Sequence, residues 1–379
     1  MLVTSATSDA ALAAISSLAR SGYEVSSADV RAMPLGVKSR FATSHSVLDN
    51  TTSDAYEAAL LNLVREKRPD VLLPIGSGAV NASVRMRQQL NQMTSLSLPG
   101  EQAIHAANDR AATMASCDSL GIPCASVYDE TETRRLAAAG TRFVVKPKAN
   151  VGAARGVTYV SGLQQLEDAV KSCRERYGQA VTQEYVPGDP DEMKTAVLLF
   201  SDEGKLAAAF TTQKRRQWPP SGGLTVVSES TSDSALVRQV LPFFVKWQWK
   251  GPAEVELKRD SRTGIDKVIE INPRFPAYLR FAHRCGLDLP TLAARLALRD
   301  DVAPRQYPDY SIGVTYVNPG LFVKNCAWHV RRSGVSVLPR ALRELGAGLP
   351  CLMDMLRDPI PFLGRALEDL RPRGQTGHQ

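Results

Sequence analysis

Apolar residues in the first hundred positions fall into short runs separated by helix-like stretches. "MLVTSA" leads to a segment with apolar residues recurring on one helical face near Ala10 to Ser21. "YEVSSAD", a helical segment over Ser53 to Lys67, and "DVLLPIG" come next. Short apolar runs bounded by turn residues such as Asp70 and Gly76 read as buried parallel strands, and the 3.6-residue period reads as the helices between them. This βαβ rhythm predicts a Rossmann-like α/β domain over residues 1–105. Its first turn, "TSATSDA", has no GxGxxG, so the backbone cradle of a dinucleotide site is missing. Asp29, at the end of the second strand, therefore reads as a turn residue and not as a ribose ligand.

Next, "EQAIHAANDRAATMASCDSLG" predicts one helical segment, ended by Gly121 and Pro123. Residues 142 to 186 read as strand "RFVVKPKA", the Gly/Ala loop "NVGAARG", strand "VTYV", a helix from about Gly162 to Arg176, and strand "AVTQEYV". From Lys194 the pattern turns to longer antiparallel strands, in "KTAVLLFSDEGKLAAAFTTQKRR" and "GPAEVELKRDSRTGIDKVIEINPRF". The chain thus divides into a linker helix with a small α+β lobe (106–188), a larger antiparallel lobe (189–305) and an extension (306–379). Its last residues, "RPRGQTGHQ", are expected to be disordered.

Composition narrows the class. Hydrophobic residues at 44% and charged residues at 22% describe an ordinary globular chain. No apolar run approaches the length of a membrane span, and the N-terminus lacks the basic region of a signal peptide, so a cytoplasmic protein without a membrane partner is expected. The formal charge of +7 is spread along the sequence without a recognition module, which argues against nucleic acid and for small anions. Six well-separated cysteines lack a CxxC pair, and five histidines lack zinc spacing, so any metal must be held by oxygen ligands.

The stretch "VIEINPRF" is the most informative. Glu270 and Asn272 share one side of a strand while Ile269 and Ile271 line the buried side. A turn centred near Thr263 sets Glu256 of "EVEL" directly opposite Glu270. Like charges facing each other in a ladder repel, which a bound cation would relieve; oxygen ligands from Glu256, Glu270 and Asn272 suit Mg²⁺, although a solvated sheet face has the same pattern. In "FVVKPKANVGAARGV", Lys146 ends an apolar strand before a glycine loop, an arrangement that binds a polyphosphate or simply makes a turn. "QEYVPG" offers either an extended segment for an adenine edge or an interdomain linker. Lys214, Arg215 and Arg216 alternate on a strand, which turns Arg215 away from the other two.

Taken in order, "VVKP", the glycine loop, "QEYVPG", "AEVEL" and "EINPRF" resemble the ATP-grasp superfamily, in particular relatives of carbamoyl phosphate synthetase, biotin carboxylase and the amino-acid ligases. The resemblance covers roughly residues 1 to 300. It implies an ATP-grasp fold, with a Rossmann-like domain preceding a small ATP-binding lobe and a larger antiparallel-sheet lobe. It also implies ATP with two Mg²⁺ ions (or Mn²⁺). Through it, Lys146 and Arg110 would contact phosphates, and the loop from Val151 to Gly156, with Gly152, would close over them. Glu184, Tyr185 and Val186 would hold adenine, Asp191 or Glu192 the ribose, and Glu256, Glu270 and Asn272 the metal. Arg274, with Arg215 and Lys146, would stabilise the transferring phosphoryl group, while Lys214, Arg216, Gly222 and Gly223 would meet the substrate. The family often has Asp-Lys where this chain has Asp109-Arg110, and a planar guanidinium is not an ammonium in shape.

The activity so implied is an ADP-forming ligation of a small carboxylic acid to an amine or amino acid through an acyl phosphate, by a monomer or homodimer. The alternatives are a bicarbonate-using carboxylase or carbamoyl-phosphate-type enzyme, usually accompanied by a biotin-carrier or amidotransferase partner, and a non-catalytic nucleotide-binding regulator.

Overall fold

The computed structural model describes residues 1–30, 39–149, 155–220, 222–300, 302 and 307–359. Gly152, most of the glycine loop and the chain end "RPRGQTGHQ" lie outside these residues.

The first sheet holds β1 (Leu2–Val3), β2 (Ser26–Asp29), β3 (Ser44–Val47) and β4 (Leu72–Leu73), all parallel in the order β3-β2-β1-β4. Helices Asp9–Arg20, Ser53–Lys67 and Ser77–Arg85 flank it, the first two opened by the side chains of Ser8 and Thr52 accepting from the third residue onward. β3, "SHSV", carries no run of apolar residues and pattern alone does not find it.

The segment expected as one helix is two, Glu101–Asn108 and Arg110–Ser119. Asp109 breaks them with extended backbone, and its carboxylate caps the second by accepting from the amides of Ala111 and Ala112. This local bond offers the backbone an alternative to helix continuation, and it fixes Arg110 as the first residue of a new helix.

The small lobe is an antiparallel sheet of β5 (Val127–Tyr128), β6 (Arg142–Pro147), β7 (Thr158–Ser161) and β8 (Ala180–Glu184), ordered β5-β8-β6-β7 and backed by helix Leu163–Tyr177. The larger sheet joins β9 (Met193–Phe200), β10 (Leu206–Trp218), β11 (Leu224–Thr231), β12 (Gly251–Arg259), β13 (Asp266–Asn272) and β14 (Thr315–Val317) in the order β13-β12-β9-β10-β11-β14. β14, from the extension, adds to the edge of this sheet, and helices Pro319–Ser333 and Leu338–Leu356 come after it.

Alternation along β9 to β13 divides the large sheet between two cores. Ala196, Leu198, Val255, Leu257 and Ile271 pack against Phe243, Phe244 and Trp249, whereas Val197, Leu199 and Phe210 meet Phe281 and the first helix of the N-terminal unit. Each such large side chain contributes about 1.5–3 kcal/mol on burial, enough to fix the register of the strands between them. Two irregularities interrupt that register. The β12–β13 pairing runs from Glu256↔Glu270 to Leu257↔Val268, leaving Ile269 as an extra residue. Val268, not the expected Ile269, therefore fills the core beside Ile271, since a bulge reverses the parity of a strand. A similar slip lies between Lys214 and Arg216 on β10.

Candidate active site

The register places Glu254 opposite Asn272 and Glu256 opposite Glu270, so three carboxylates and an amide share one face of the β12–β13 hairpin. Four cations answer them. Arg110, only 4% exposed, donates through Nε and Nη2 to Glu270 at 3.2 and 2.7 Å and through Nη1 to the carbonyls of Pro147 and Ala149 at 2.7 and 2.8 Å. Instead of pointing into an open phosphate site, its fork clamps Glu270 to the end of β6. Lys146 is buried on β6, with Nζ 3.4 Å from the carbonyl of Ile269. Arg274 bonds Glu254 and the Asn272 Oδ1, both at 3.2 Å. Lys214 lies 3.8 Å from Glu256 and donates to the carbonyl of Gly223 at 3.2 Å.

These contacts set the protonation states. Burial is the largest influence on Glu270 and works to raise its pKa, but Arg110, Lys146 and Arg274 outweigh it and hold the carboxyl below its ordinary range. Glu254 goes the other way, pushed up to about 7 by burial, with Arg274 opposing and Glu256 and Glu270 adding. Burial also drives Lys146 down to about 7, helped by Arg110 and opposed by Glu270 and Glu256. Glu254 is the residue that sequence reasoning missed. Its signal was present, because it stands two residues before Glu256 on the same side of "AEVEL".

Residues 214–216 do not simply alternate. The slip leaves Arg215 opposite no residue of β11; it bonds Glu229 at 3.0 Å, while Arg216 turns to Glu344 at 2.6 Å and Asn325 at 3.2 Å on the C-terminal helices. Of the three, Lys214 alone joins the hairpin acids. Arg215 and Arg216, expected to meet the phosphoryl group and substrate, are engaged here in an ion pair within the large lobe and in bonds to the C-terminal extension, respectively. Gly222 reaches across the lobes, where a Cβ would strike the Tyr159 hydroxyl of β7, whereas a Cβ on Gly223 would strike the Trp218 carbonyl of its own lobe. Gly156, with φ of +73°, packs against Tyr177 and Pro147, where any side chain would collide.

At the hinge, where adenine is expected, the side chain of Glu184 is engaged as a latch between the lobes. Its carboxylate takes Arg262 at 2.6 Å and Lys267 at 2.7 Å from the large lobe. The ring of Tyr185 is covered by the Arg142 guanidinium at 4.1 Å and the edge of Tyr159, and Val186 is buried. Asp191 and Glu192 form a short 3₁₀ turn before β9, with the Asp191 carbonyl accepting from Gln213. All six cysteines are free, and burial pushes the thiols of Cys117 and Cys285 up to about 12, which leaves them unreactive. Among the described residues no helix is long and apolar enough to cross a membrane.

Among the described residues no group of three or more His, Cys, Asp or Glu is arranged to hold a metal unaided. The hairpin instead presents Glu256, Glu270 and the amide of Asn272, oxygen donors only. That set fits Mg²⁺, which is usually held by one or two carboxylates with phosphate oxygens and waters completing its shell.

No protein-family model and no curated protein matches the chain. Solved structures do. A biotin carboxylase–β-γ-ATP complex from Campylobacter jejuni superposes with a TM-score of 0.69 at 14% identity, over 83% of this chain and 74% of that one. The biotin carboxylase domain of Hydrogenobacter thermophilus 2-oxoglutarate carboxylase, a dimer with MgADP and bicarbonate, gives 0.64 at 15% identity, covering 83% and 72%. An L-amino acid ligase from Bacillus licheniformis gives 0.63 at 17% identity, covering 83% and 78%. The fold of this chain is the ATP-grasp fold.

Proposed function

We propose that this chain is an ADP-forming ATP-grasp ligase that joins a small carboxylic acid to an amine or amino acid. The observation that carries the reading is the Glu256–Glu270 cross-strand pair, with Asn272 beside it, enclosed by Arg110, Lys146, Lys214 and Arg274. Paired acids ringed by cations from two lobes make a place for magnesium and phosphate, and the solved relatives include complexes with ATP-type ligands and MgADP.

Glu256, Glu270 and Asn272 would hold the metal. Bound Mg-ATP supplies an electrophilic γ-phosphoryl group, whose transfer to a substrate carboxylate gives an acyl phosphate that an amine opens to an amide. Within the protein, Arg110 keeps Glu270 ionised and aimed, so this ligand is ready without reorganisation. Lys146 neutralises phosphate charge from the floor of the site, and Arg274, anchored on Glu254, fixes the amide of Asn272. Lys214 and Gly223 bring the loop after β10 to the same face, where Gly222 approaches Tyr159 of the small lobe. No side chain need act as a nucleophile, consistent with the inert thiols.

The test is ADP and phosphate release from Mg-ATP across a matrix of carboxylic acids and amines, bicarbonate included, with Glu270→Gln as control. Turnover restricted to particular acid and amine pairs, and lost in the variant, is the expected result. Turnover with bicarbonate alone would replace the ligase reading with a carboxylase-type activity.

A further inference from the structure

Helix Leu338–Leu356 is held to the rest of the molecule by one of its faces. Ala341 and Cys351 are buried, a Cβ on Gly348 would collide with Val317 of β14, and Glu344 takes Arg216 from β10. Just past the helix end, Asp358 accepts from the Ser39 hydroxyl and the Arg40 amide of the N-terminal unit. Anchored on the large lobe and on the N-terminal unit, the helix cannot roll about its axis, so what lies on its other side stays turned outward.

That other side is apolar. Leu338, Leu342, Leu349, Met353 and Leu356 are 40, 68, 51, 64 and 59% exposed, and they form one stripe because residues three and four apart stack on a helix. The sequence under the stripe is stricter than amphipathicity requires. Leucine stands at positions 338, 342, 345, 349, 352 and 356, in alternating steps of four and three. This is a period of 3.5, the repeat with which one helix keeps a seam turned toward a second helix. The heptad positions flanking the leucines are Pro339, Gly346 and Met353 on one side and Ala341, Gly348 and Met355 on the other, none of them charged. Charges at those positions reject a like helix and select a different one, so an identical helix meets no repulsion here.

The area also suits a second copy. A face about 27 Å long and about 10 Å wide covers on the order of 300 Å², as much contiguous apolar surface as a monomer ordinarily exposes. Two such faces together supply roughly the apolar share of an interface of about 1,000 Å² in total, the lower bound for a specific contact.

We propose that this stripe is a homodimer interface, in which helix Leu338–Leu356 packs leucine seam to leucine seam against the same helix of a second copy. With the helices antiparallel about a two-fold axis, Leu338, Leu342 and Leu345 face Leu356, Leu352 and Leu349 of the partner subunit. The contact uses none of the hairpin acids or their cations, so it stands or falls apart from the ligase reading.

The experiment is sedimentation velocity of the full chain from about 1 to 100 µM, beside the double variant Leu342→Glu/Leu349→Glu and the single variant Met353→Glu. All three side chains are more than half exposed, and circular dichroism checks that the variants keep the fold. The wild type is expected to be a dimer in this range. The double variant should weaken association about 100-fold, because it places carboxylates in a closed apolar seam, and Met353→Glu, toward the other end of the stripe, should weaken it less. Val245→Glu, at an exposed apolar position on helix Ser234–Lys246, should leave the dimer intact. A wild type that stays monomeric at 100 µM overturns the proposal, as does a dimer indifferent to both seam variants or one equally lost in Val245→Glu. A monomer that sediments with phosphatidylserine vesicles, and does so only with Leu342 and Leu349 in place, overturns it in favour of a lipid surface.

Discussion

The two ends of one hairpin face bury acids with opposite outcomes. Glu270 keeps 21% of its side chain exposed and is held ionised, while Glu254, with 5% exposed, is pushed up to about 7. Burial acts on both in the same direction. The difference lies in the cations: Glu270 has two bonds from one Arg110 fork with Lys146 nearby, whereas Glu254 has Arg274, whose other donors go to Asn272 and the Phe275 carbonyl. Depth alone therefore does not decide the charge of an acid on this sheet. The donors dedicated to it and the like charges beside it do.

The comparison can be broken most decisively at its charged end. Glu270→Gln keeps the shape and removes the charge, and is expected to lower Mg-ATP-dependent ADP release by about 10²–10³-fold, the scale of losing one preorganised electrostatic group. Initial rates at saturating Mg-ATP check this, and a variant within twofold of wild type would remove Glu270 from the chemistry. Arg110→Ala leaves the buried Glu270 without its clamp and should destabilise the chain by about 3–5 kcal/mol, measured by denaturant unfolding. Arg110→Lys should recover only part of this, because an ammonium cannot reproduce the fork or its bonds to Pro147 and Ala149.

At the other end, Glu254→Gln should stabilise the protein as pH rises. The folded pKa of about 7 exceeds the ordinary carboxyl value of 4.5, so the folded state binds the extra proton between those values. Wild-type stability from this group is complete below pH 4.5 and is lost as pH climbs through 7. The gap between variant and wild type should therefore widen from pH 5 to 8 by on the order of 1–3 kcal/mol. A constant gap would mean that Arg274 keeps Glu254 ionised throughout.

The smallest expected signal belongs to Lys146. Its folded pKa of about 7 lies below the usual 10.5, so the unfolded chain binds more protons between these values and stability rises with pH across that window. Phosphate beside Lys146 would favour the charged form. MgADP binding near pH 8 should accordingly take up about half a proton, seen as a dependence of the binding heat on buffer ionisation enthalpy. No buffer dependence would place the phosphates away from Lys146.

Legibility in the sequence tracks the range of the interactions. Glu256 facing Glu270 was readable because both lie in one hairpin whose turn, "DSRTG", sets the register. The helix over Ser53–Lys67 was readable because period and cap are local. The bulge at Ile269 was not, since an inserted residue leaves the apolar run "VIEI" intact while changing which member is buried. Nor were the partners of Arg216, because Glu344 lies 128 residues away and its helix carries no motif. The clamp of Arg110 on Glu270 is unreadable for the same reason: it depends on an acid 160 positions later.

The hinge latch also governs how the lobes can part. The hairpin tip is fastened to the small lobe by Arg262 and Lys267 on Glu184 and by the Ser261 amide on the Pro187 carbonyl. The outer edge of β13 is stitched to residues 123–125 through the bonds between Val268 and both Pro123 and Ala125. The two lobes are therefore pinned along one side, like the spine of a book. Any parting of the lobes about that spine would have to undo the close approach of Gly222 to Tyr159.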